Sequence, residues 1–185
     1  MTIGDGPHFW ASPFEQGKEF GGLGWPATFP PEALAFRSKG TLGENTTLAV
    51  VATDAKLTKA QSKRLAAMAQ NGLSRAIYPV HTPLDGDVVF AAATGQKPLP
   101  EPVFSLSELG MLAANVLARA IARGIYEATA LRFPGAVPSW RDRLWNRKDR
   151  FGLALRLLPE GFVELLNIFF DAAAAALGQS HASSD

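Results

Sequence analysis

The hydrophobic pattern of residues 46–132 alternates twice between strand and helix, and this order constrains the fold more than any other feature. Residues 46–53 (TTLAVVAT) and 87–94 (DVVFAAAT) are short runs of β-branched and apolar residues, which is typical of strands. We expect the first strand to be buried on both faces. Each run is followed by apolar residues at helical spacing. The order strand, helix, strand, helix predicts an α/β fold with helices layered on a sheet.

Two capping-box patterns indicate where the helices begin. Thr58 with Gln61, and Ser105 with Glu108, have a hydroxyl residue followed three positions later by a side chain that can close the first helical turn. The first helix is expected to end before Pro79, because proline cannot continue a helix.

The flanking regions have a different composition. Residues 1–45 are rich in glycine, proline and aromatic residues, which predicts loops, turns and at most one short strand. Residues 133–185 contain a basic stretch with Trp140 and Trp145, followed by an apolar stretch that is typical of amphipathic helices. We therefore expect three parts: loop-rich residues 1–45, an α/β region at 46–132 and a helical C-terminal extension at 133–185.

Composition excludes several functional classes. The formal net charge of the 185 residues is +1, so no overall field attracts nucleic acid or an anionic membrane. The chain has no cysteine, which excludes disulfides, thiolate metal sites and a cysteine nucleophile. No signal peptide is visible, and the apolar run at 165–177 is too short to span a bilayer. We expect a soluble, cytoplasmic protein that binds neither nucleic acid nor membrane.

Thr46 is a hydroxyl residue at the start of the first predicted strand, directly after Gly-Glu-Asn. If the peptide before it is strained, its hydroxyl can attack the Asn45 carbonyl and form an ester, which water then hydrolyses. Thr46 becomes a new N-terminus, and its free α-amine can act as general base for its own hydroxyl. An Asn-Thr pair alone is more often an ordinary turn before a strand, so spacing alone leaves both interpretations open.

Two acidic residues, Asp85 and Asp87, precede the second strand on either side of Gly86. Carboxylates two positions apart on extended backbone point to the same face, where they could hold a threonine ammonium and hydroxyl or share a proton. A simple turn after Pro83 is very common and is the favoured interpretation of these residues taken alone. A metal site is a weaker alternative, because His81 is the only imidazole nearby.

Four segments together resemble the nylon-oligomer hydrolases, a branch of the DmpA-type family of aminopeptidases and amidases. They are GDGPHFWASPFE at 4–15, EFGGLG at 19–24, KGTLGENTTLAVVATDA at 39–55 and HTPLDGDVVFAAATG at 81–95. The resemblance covers roughly residues 4–132 and only the C-terminal part of the family's precursor. It implies an N-terminal-nucleophile-hydrolase-like α/β/β/α sandwich, here partial because the N-terminal half is lacking.

The resemblance also implies residue roles. Thr46 would be the nucleophile, Asn45 the residue whose carbonyl is cleaved, and Asp85 and Asp87 the acids that orient and activate Thr46. A threonine with two aspartates is closer to the nylon-oligomer branch than to relatives with a serine nucleophile, a serine and a glutamate. The family implies autocleavage, homo-oligomeric assembly and a small amide or oligo-amide substrate, with no cofactor and no metal.

Two other hypotheses compete with an active hydrolase. In the family, the N-terminal half supplies a lysine and an asparagine to the site, and Lys39, Lys56 and Asn71 do not match them. The chain could therefore be an inactive remnant, or a subunit that needs a separately encoded N-terminal half. The basic tryptophan segment also allows a membrane-surface or partner-binding module, although such segments more often pack on their own domain.

Overall fold

The computed structural model describes residues 1–35 and 46–144. Its contacts divide the chain into two units, Met1–Trp140 and Arg141–Asp185. Of the second unit, the described residues are 141–144, which belong to the short helix α4 (Trp140–Leu144). Most of the predicted C-terminal extension, including Trp145, lies outside the described residues.

The sheet of the first unit consists of β1 (Leu48–Ala55) and β2 (Val88–Lys97), which pair in parallel. Leu48 lies opposite Val88, and the register then continues residue by residue to Thr53 and Ala93. A parallel pair needs a crossover connection. Helices α1 (Lys59–Ala69) and α2 (Asn71–Ala76) provide it, so the predicted α/β order is present.

One face of β1 is buried and the other is open. Ala49 and Val51 are buried, whereas Leu48 and Val50 are 70% and 67% exposed, and Phe90 of β2 is 57% exposed beside them. The expectation that this strand is buried on both faces is therefore wrong. Its apolar run is continuous, but among the described residues the helices that cover the sheet pack on the face of Ala49 and Val51.

The first predicted capping box is present and the second is not. Thr58 Oγ1 accepts the Gln61 N–H at 3.2 Å, and Gln61 Oε1 accepts the Thr58 N–H at 2.8 Å. Helix α3 (Pro102–Glu127) begins three residues before Ser105, which therefore lies inside the helix. Pro102 occupies the first helical position, where its missing N–H costs nothing, and this is the start signal that outweighed the hydroxyl pattern.

The core lies between the sheet and the three helices. Leu65 and Ala69 of α1, Leu73 of α2 and Leu117 of α3 pack against the buried strand residues. Gln70 separates α1 from α2, so the single helix predicted before Pro79 is two shorter ones. The peptide between Tyr78 and Pro79 is cis.

The N-terminal region is irregular, as the glycine and proline content predicts. It contains two 3-10 helices, Ser12–Phe14 and Pro31–Leu34, and an isolated bridge between Thr2 and Phe9. Phe9 stacks on Trp140 with ring centroids 5.4 Å apart. Trp140 is 6% exposed, so this tryptophan serves the protein's own packing rather than a membrane surface.

Within the described residues, α3 is the one helix long and apolar enough to cross a membrane by length and composition alone. That is weak support for a membrane span, because core helices pass the same test. Ala114, Leu117 and Ala118 of α3 are buried, and α3 contacts both α1 and α2. The opposite face of α3 is open, since Met111, Leu112 and Val116 are about half exposed.

Candidate active site

The parallel register of the sheet brings the residues before both strands together. Thr47 O accepts the Val88 N–H at 3.0 Å, and the Thr47 N–H donates to Asp87 Oδ1 at 3.0 Å. Thr46 is exposed at the position just before Thr47. Asn45, the residue expected to carry the cleaved carbonyl, lies outside the described residues.

Asp87 has a buried carboxylate with a nitrogen atom close to each of its two oxygens. Its side chain is 6% exposed, and the His81 Nδ1 atom lies 3.3 Å from Oδ2 while the Thr47 N–H occupies Oδ1. An ionised carboxylate has only acceptor atoms, and its burial is unfavourable unless donors satisfy it. The Thr47 N–H satisfies one oxygen of this buried group.

Asp85 is held differently, inside its own turn. The Asp85 N–H donates to Thr82 O at 2.9 Å, and Asp85 Oδ2 accepts the Thr82 N–H at 2.8 Å. The Thr82 hydroxyl oxygen accepts the Leu84 N–H at 3.3 Å. The turn that the proline predicts is thus real, and the two carboxylates have different partners: the turn for Asp85, β1 and the histidine for Asp87.

His81 also belongs to the site, although the sequence suggests no role for it other than the weaker alternative of a metal ligand. It lies six positions before Asp87, and no helical or strand period connects the two. The turn at Thr82 to Asp85 reverses the chain and brings them into contact. Among the described residues, no group of three or more His, Asp or Glu side chains is arranged to hold a metal ion.

The shifted pKa values lie away from Thr46. A hydrogen bond from Lys97 lowers the pKa of Asp54, and the same bond raises the pKa of Lys97, at the far end of the two strands. A hydrogen bond from Arg119 lowers the pKa of Glu19, and the same bond raises the pKa of Arg119. Glu19 belongs to the N-terminal loops and Arg119 to α3, so this ion pair connects the loops to helix α3.

A shallow depression of about 370 Å³ lies between α1 and the start of α3. None of its lining residues belongs to the Thr46 region; they are Gln61, Arg64, Met68, Pro102, Val103, Leu106 and Ser107.

Comparison with known proteins finds relatives that match about half of this chain. An uncharacterized aminopeptidase of Mycobacterium bovis is 42% identical over 108 residues, which cover 53% of this chain and 30% of the relative. An uncharacterized aminopeptidase of Mycobacterium leprae is 42% identical over 111 residues, covering 50% of this chain and 30% of the relative. The chain thus matches about a third of the length of these relatives. Residues 12–136 match the sequence profile of peptidase family S58. This span is more than half of the chain, and the chain belongs to peptidase family S58.

Proposed function

We propose that this chain carries the nucleophile of a peptide or amide hydrolase, and that Thr46 becomes an N-terminal nucleophile by cleavage of the Asn45–Thr46 bond. The observation that carries the proposal is the hydrogen bond from the Thr47 N–H to the buried Asp87 carboxylate. It connects a buried acidic side chain to the residue that follows Thr46. Family membership and the aminopeptidase names of the relatives support a peptide bond as the target.

In the self-cleavage step, Thr46 Oγ1 attacks the Asn45 carbonyl carbon and the peptide becomes an ester, with the Thr46 nitrogen as leaving group. Water then hydrolyses the ester, which leaves a carboxylate on Asn45 and a free α-amine on Thr46. In each later turnover the α-amine takes the hydroxyl proton as Oγ1 attacks a substrate carbonyl, and gives it to the leaving amine. A second water hydrolyses the acyl-threonine ester.

Asp87 and Asp85 have separate roles in this scheme. Asp87, fixed on the backbone beside Thr46, orients the α-amine and stabilises its ammonium form when it carries the transferred proton. Asp85 orients Thr46 from the rigid turn that its own carboxylate closes. A site on such fixed elements keeps the reacting groups in one geometry.

The substrate that fits these residues is a small amide or oligo-amide. Threonine with two aspartates favours the nylon-oligomer branch of the DmpA-type hydrolases, which act without a cofactor. The proposal includes a cytoplasmic location, a homo-oligomer and an N-terminal-nucleophile-type α/β/β/α sandwich, in which a second sheet covers the face of Leu48, Val50 and Phe90.

That open face favours a second candidate: a subunit that is inactive alone and active with a separate chain carrying the rest of the family sequence. Leu48 and Val50 expose most of their surface, and large exposed apolar patches typically mark interaction sites. The relatives extend well beyond the matched region. Such a chain would supply the second sheet and the remaining active-site groups.

The intact mass of the purified protein tests the proposal. Cleavage should yield two fragments, one ending at Asn45 and one beginning at Thr46. The cleaved protein should also hydrolyse aminohexanoate oligomers or small aminoacyl amides. Cleavage only on co-expression with a family N-terminal half supports the second candidate. An intact mass and no hydrolysis under both conditions contradict both candidates.

A further inference from the structure

We propose that His81 is a positioning residue for Asp87, and that it fixes the plane of the carboxylate that serves Thr46. This inference rests on the proposed function of Thr46. His81 touches Asp87 and not the reacting atoms, so its effect on the reaction passes through the carboxylate.

The His81 contact lies at the carboxylate oxygen that does not accept the Thr47 N–H. The Thr47 N–H holds Oδ1 at 3.0 Å, and the His81 Nδ1 atom lies 3.3 Å from Oδ2. A carboxylate held at one oxygen can rotate about its last side-chain bond, whereas one held at both cannot. With His81 Nδ1 as the proposed donor to Oδ2, one donor comes from the residue before β1 and the other from the loop before β2, so the carboxylate plane follows the sheet.

Burial makes this second donor important. The Asp87 side chain is 6% exposed, so little water is available to replace a lost donor, while the His81 side chain is 41% exposed. When a buried polar group loses its hydrogen-bond partner, the protein loses stability by the full desolvation free energy of that group. A donor at His81 Nδ1 would therefore satisfy Oδ2 from the solvent side.

The backbone of His81 adds an independent observation. Its φ is +57°, in the left-handed region, and it is the one non-glycine residue with positive φ in the described part of the chain. This conformation is uncommon outside glycine and is enriched in asparagine, aspartate and histidine. It persists where surrounding contacts over-determine it, and the Asp87 contact is such a constraint.

Three substitutions at position 81 distinguish the effect of the backbone conformation from the effect of the side-chain donor. Asparagine, glycine and aspartate all tolerate positive φ, but of the three only asparagine carries a side-chain N–H, close to the position of the imidazole Nδ1. His81→Asn therefore keeps the donor, His81→Gly removes it, and His81→Asp replaces it with a like charge beside Asp87. A shared effect of all three would be a backbone or folding effect.

The first readout does not depend on activity. Amide hydrogen exchange at Thr47, measured by NMR on the full chain, reports how firmly Asp87 Oδ1 is held. His81→Gly and His81→Asp should accelerate exchange at Thr47 by about tenfold, while His81→Asn stays within about threefold of wild type. The Leu73 amide in the core should be unchanged in every variant. Equal exchange at Thr47 in wild type and His81→Gly overturns the contact.

The second readout is catalytic. His81→Gly should lower kcat, and the rate of self-cleavage, by about 10- to 100-fold with little change in KM, because a misplaced group acts on the transition state. His81→Asn should restore most of that loss. If wild type cleaves and hydrolyses but His81→Gly equals it, the role of His81 alone is wrong. If wild type neither cleaves nor hydrolyses with or without the N-terminal half, the proposed function fails, and with it any catalytic role of His81.

Discussion

The Thr47 N–H donates to Asp87 Oδ1 at 3.0 Å, across the first step of two parallel strands whose residues are 40 positions apart. The next step pairs Leu48 with Val88, so the register of the sheet decides which acid meets which backbone group. A slip by one residue would turn every side chain of a strand to the other face. The buried side chains of Ala49 and Val89 oppose such a slip, and the core thereby positions the candidate site.

Asp87→Ala should destabilise the fold more than Asp85→Ala. Removing the Asp87 carboxylate leaves the Thr47 N–H without its acceptor at a part-buried position, which costs about 1–3 kcal/mol. Asp85→Ala loses one hydrogen bond inside its own turn and should cost about 1 kcal/mol. Urea unfolding followed by circular dichroism measures both. Equal losses would show that the Thr47 contact of Asp87 contributes no more to stability than the turn contact of Asp85.

Thr46→Ala should abolish self-cleavage and hydrolysis without unfolding the protein. The nucleophilic oxygen is lost, and the remaining site has no second hydroxyl in the proposed role. Because Thr46 is exposed, its truncation should change the free energy of unfolding by no more than about 0.5 kcal/mol. Intact mass and amide hydrolysis are the measurements, with Thr46→Ser as the matched control that keeps the oxygen. Hydrolysis that survives in Thr46→Ala would show that another residue is the nucleophile.

The strand and helix order could be predicted from the sequence because it depends on local pattern. The alternation of Ala49 and Val51 with exposed neighbours could not, since a continuous apolar run does not reveal whether a second layer covers it. The capping-box spacing of Ser105 and Glu108 predicts a start of α3 that is too late, because Pro102 gives the stronger start signal.

The site was only partly predictable for a similar reason. The resemblance, and the positions of Thr46 and Asp87 before the strands, identify these two residues as candidate catalytic residues. Whether they lie close together depends on the parallel register of the strands. The His81 contact with Asp87 depends on a turn and on a left-handed backbone conformation, neither of which a hydrophobic pattern encodes. Helices and strands are therefore easier to predict from the sequence than contacts made by the loops between them.

Gly72 and Gly124 should respond oppositely to alanine. A Cβ at Gly72 would lie 2.5 Å from the Ala114 backbone oxygen of α3, so α2 and α3 must separate, at a cost of about 1–3 kcal/mol. A Cβ at Gly124 would meet nothing within 4 Å, and Gly124→Ala should stabilise the helix by about 0.5–1 kcal/mol. Thermal unfolding of the two variants measures the difference. A Gly72→Ala variant as stable as wild type would contradict the close approach of the helices.

Glu19→Gln should lower stability at neutral pH, and the loss should disappear in acid. Arg119 Nε and Nη2 bind the Glu19 carboxylate at 2.5 and 3.0 Å, and this pairing lowers the Glu19 pKa below its ordinary value of 4.5. A depressed folded-state pKa means that the stabilisation is complete above the unfolded-state pKa and is lost as pH falls through the lower folded-state pKa. At pH 7 we expect the variant to be about 1–3 kcal/mol less stable than wild type.

The measurement is the free energy of unfolding in urea for both proteins from pH 7 downward. The difference between them should be constant above about pH 5 and shrink progressively below the ordinary glutamate value, because wild type then loses the same charge. Glu108→Gln, an exposed position on α3, is the matched control and should stay within about 0.5 kcal/mol of wild type. A difference that persists unchanged to pH 2 would mean that the carboxylate contributes through shape and not through its charge.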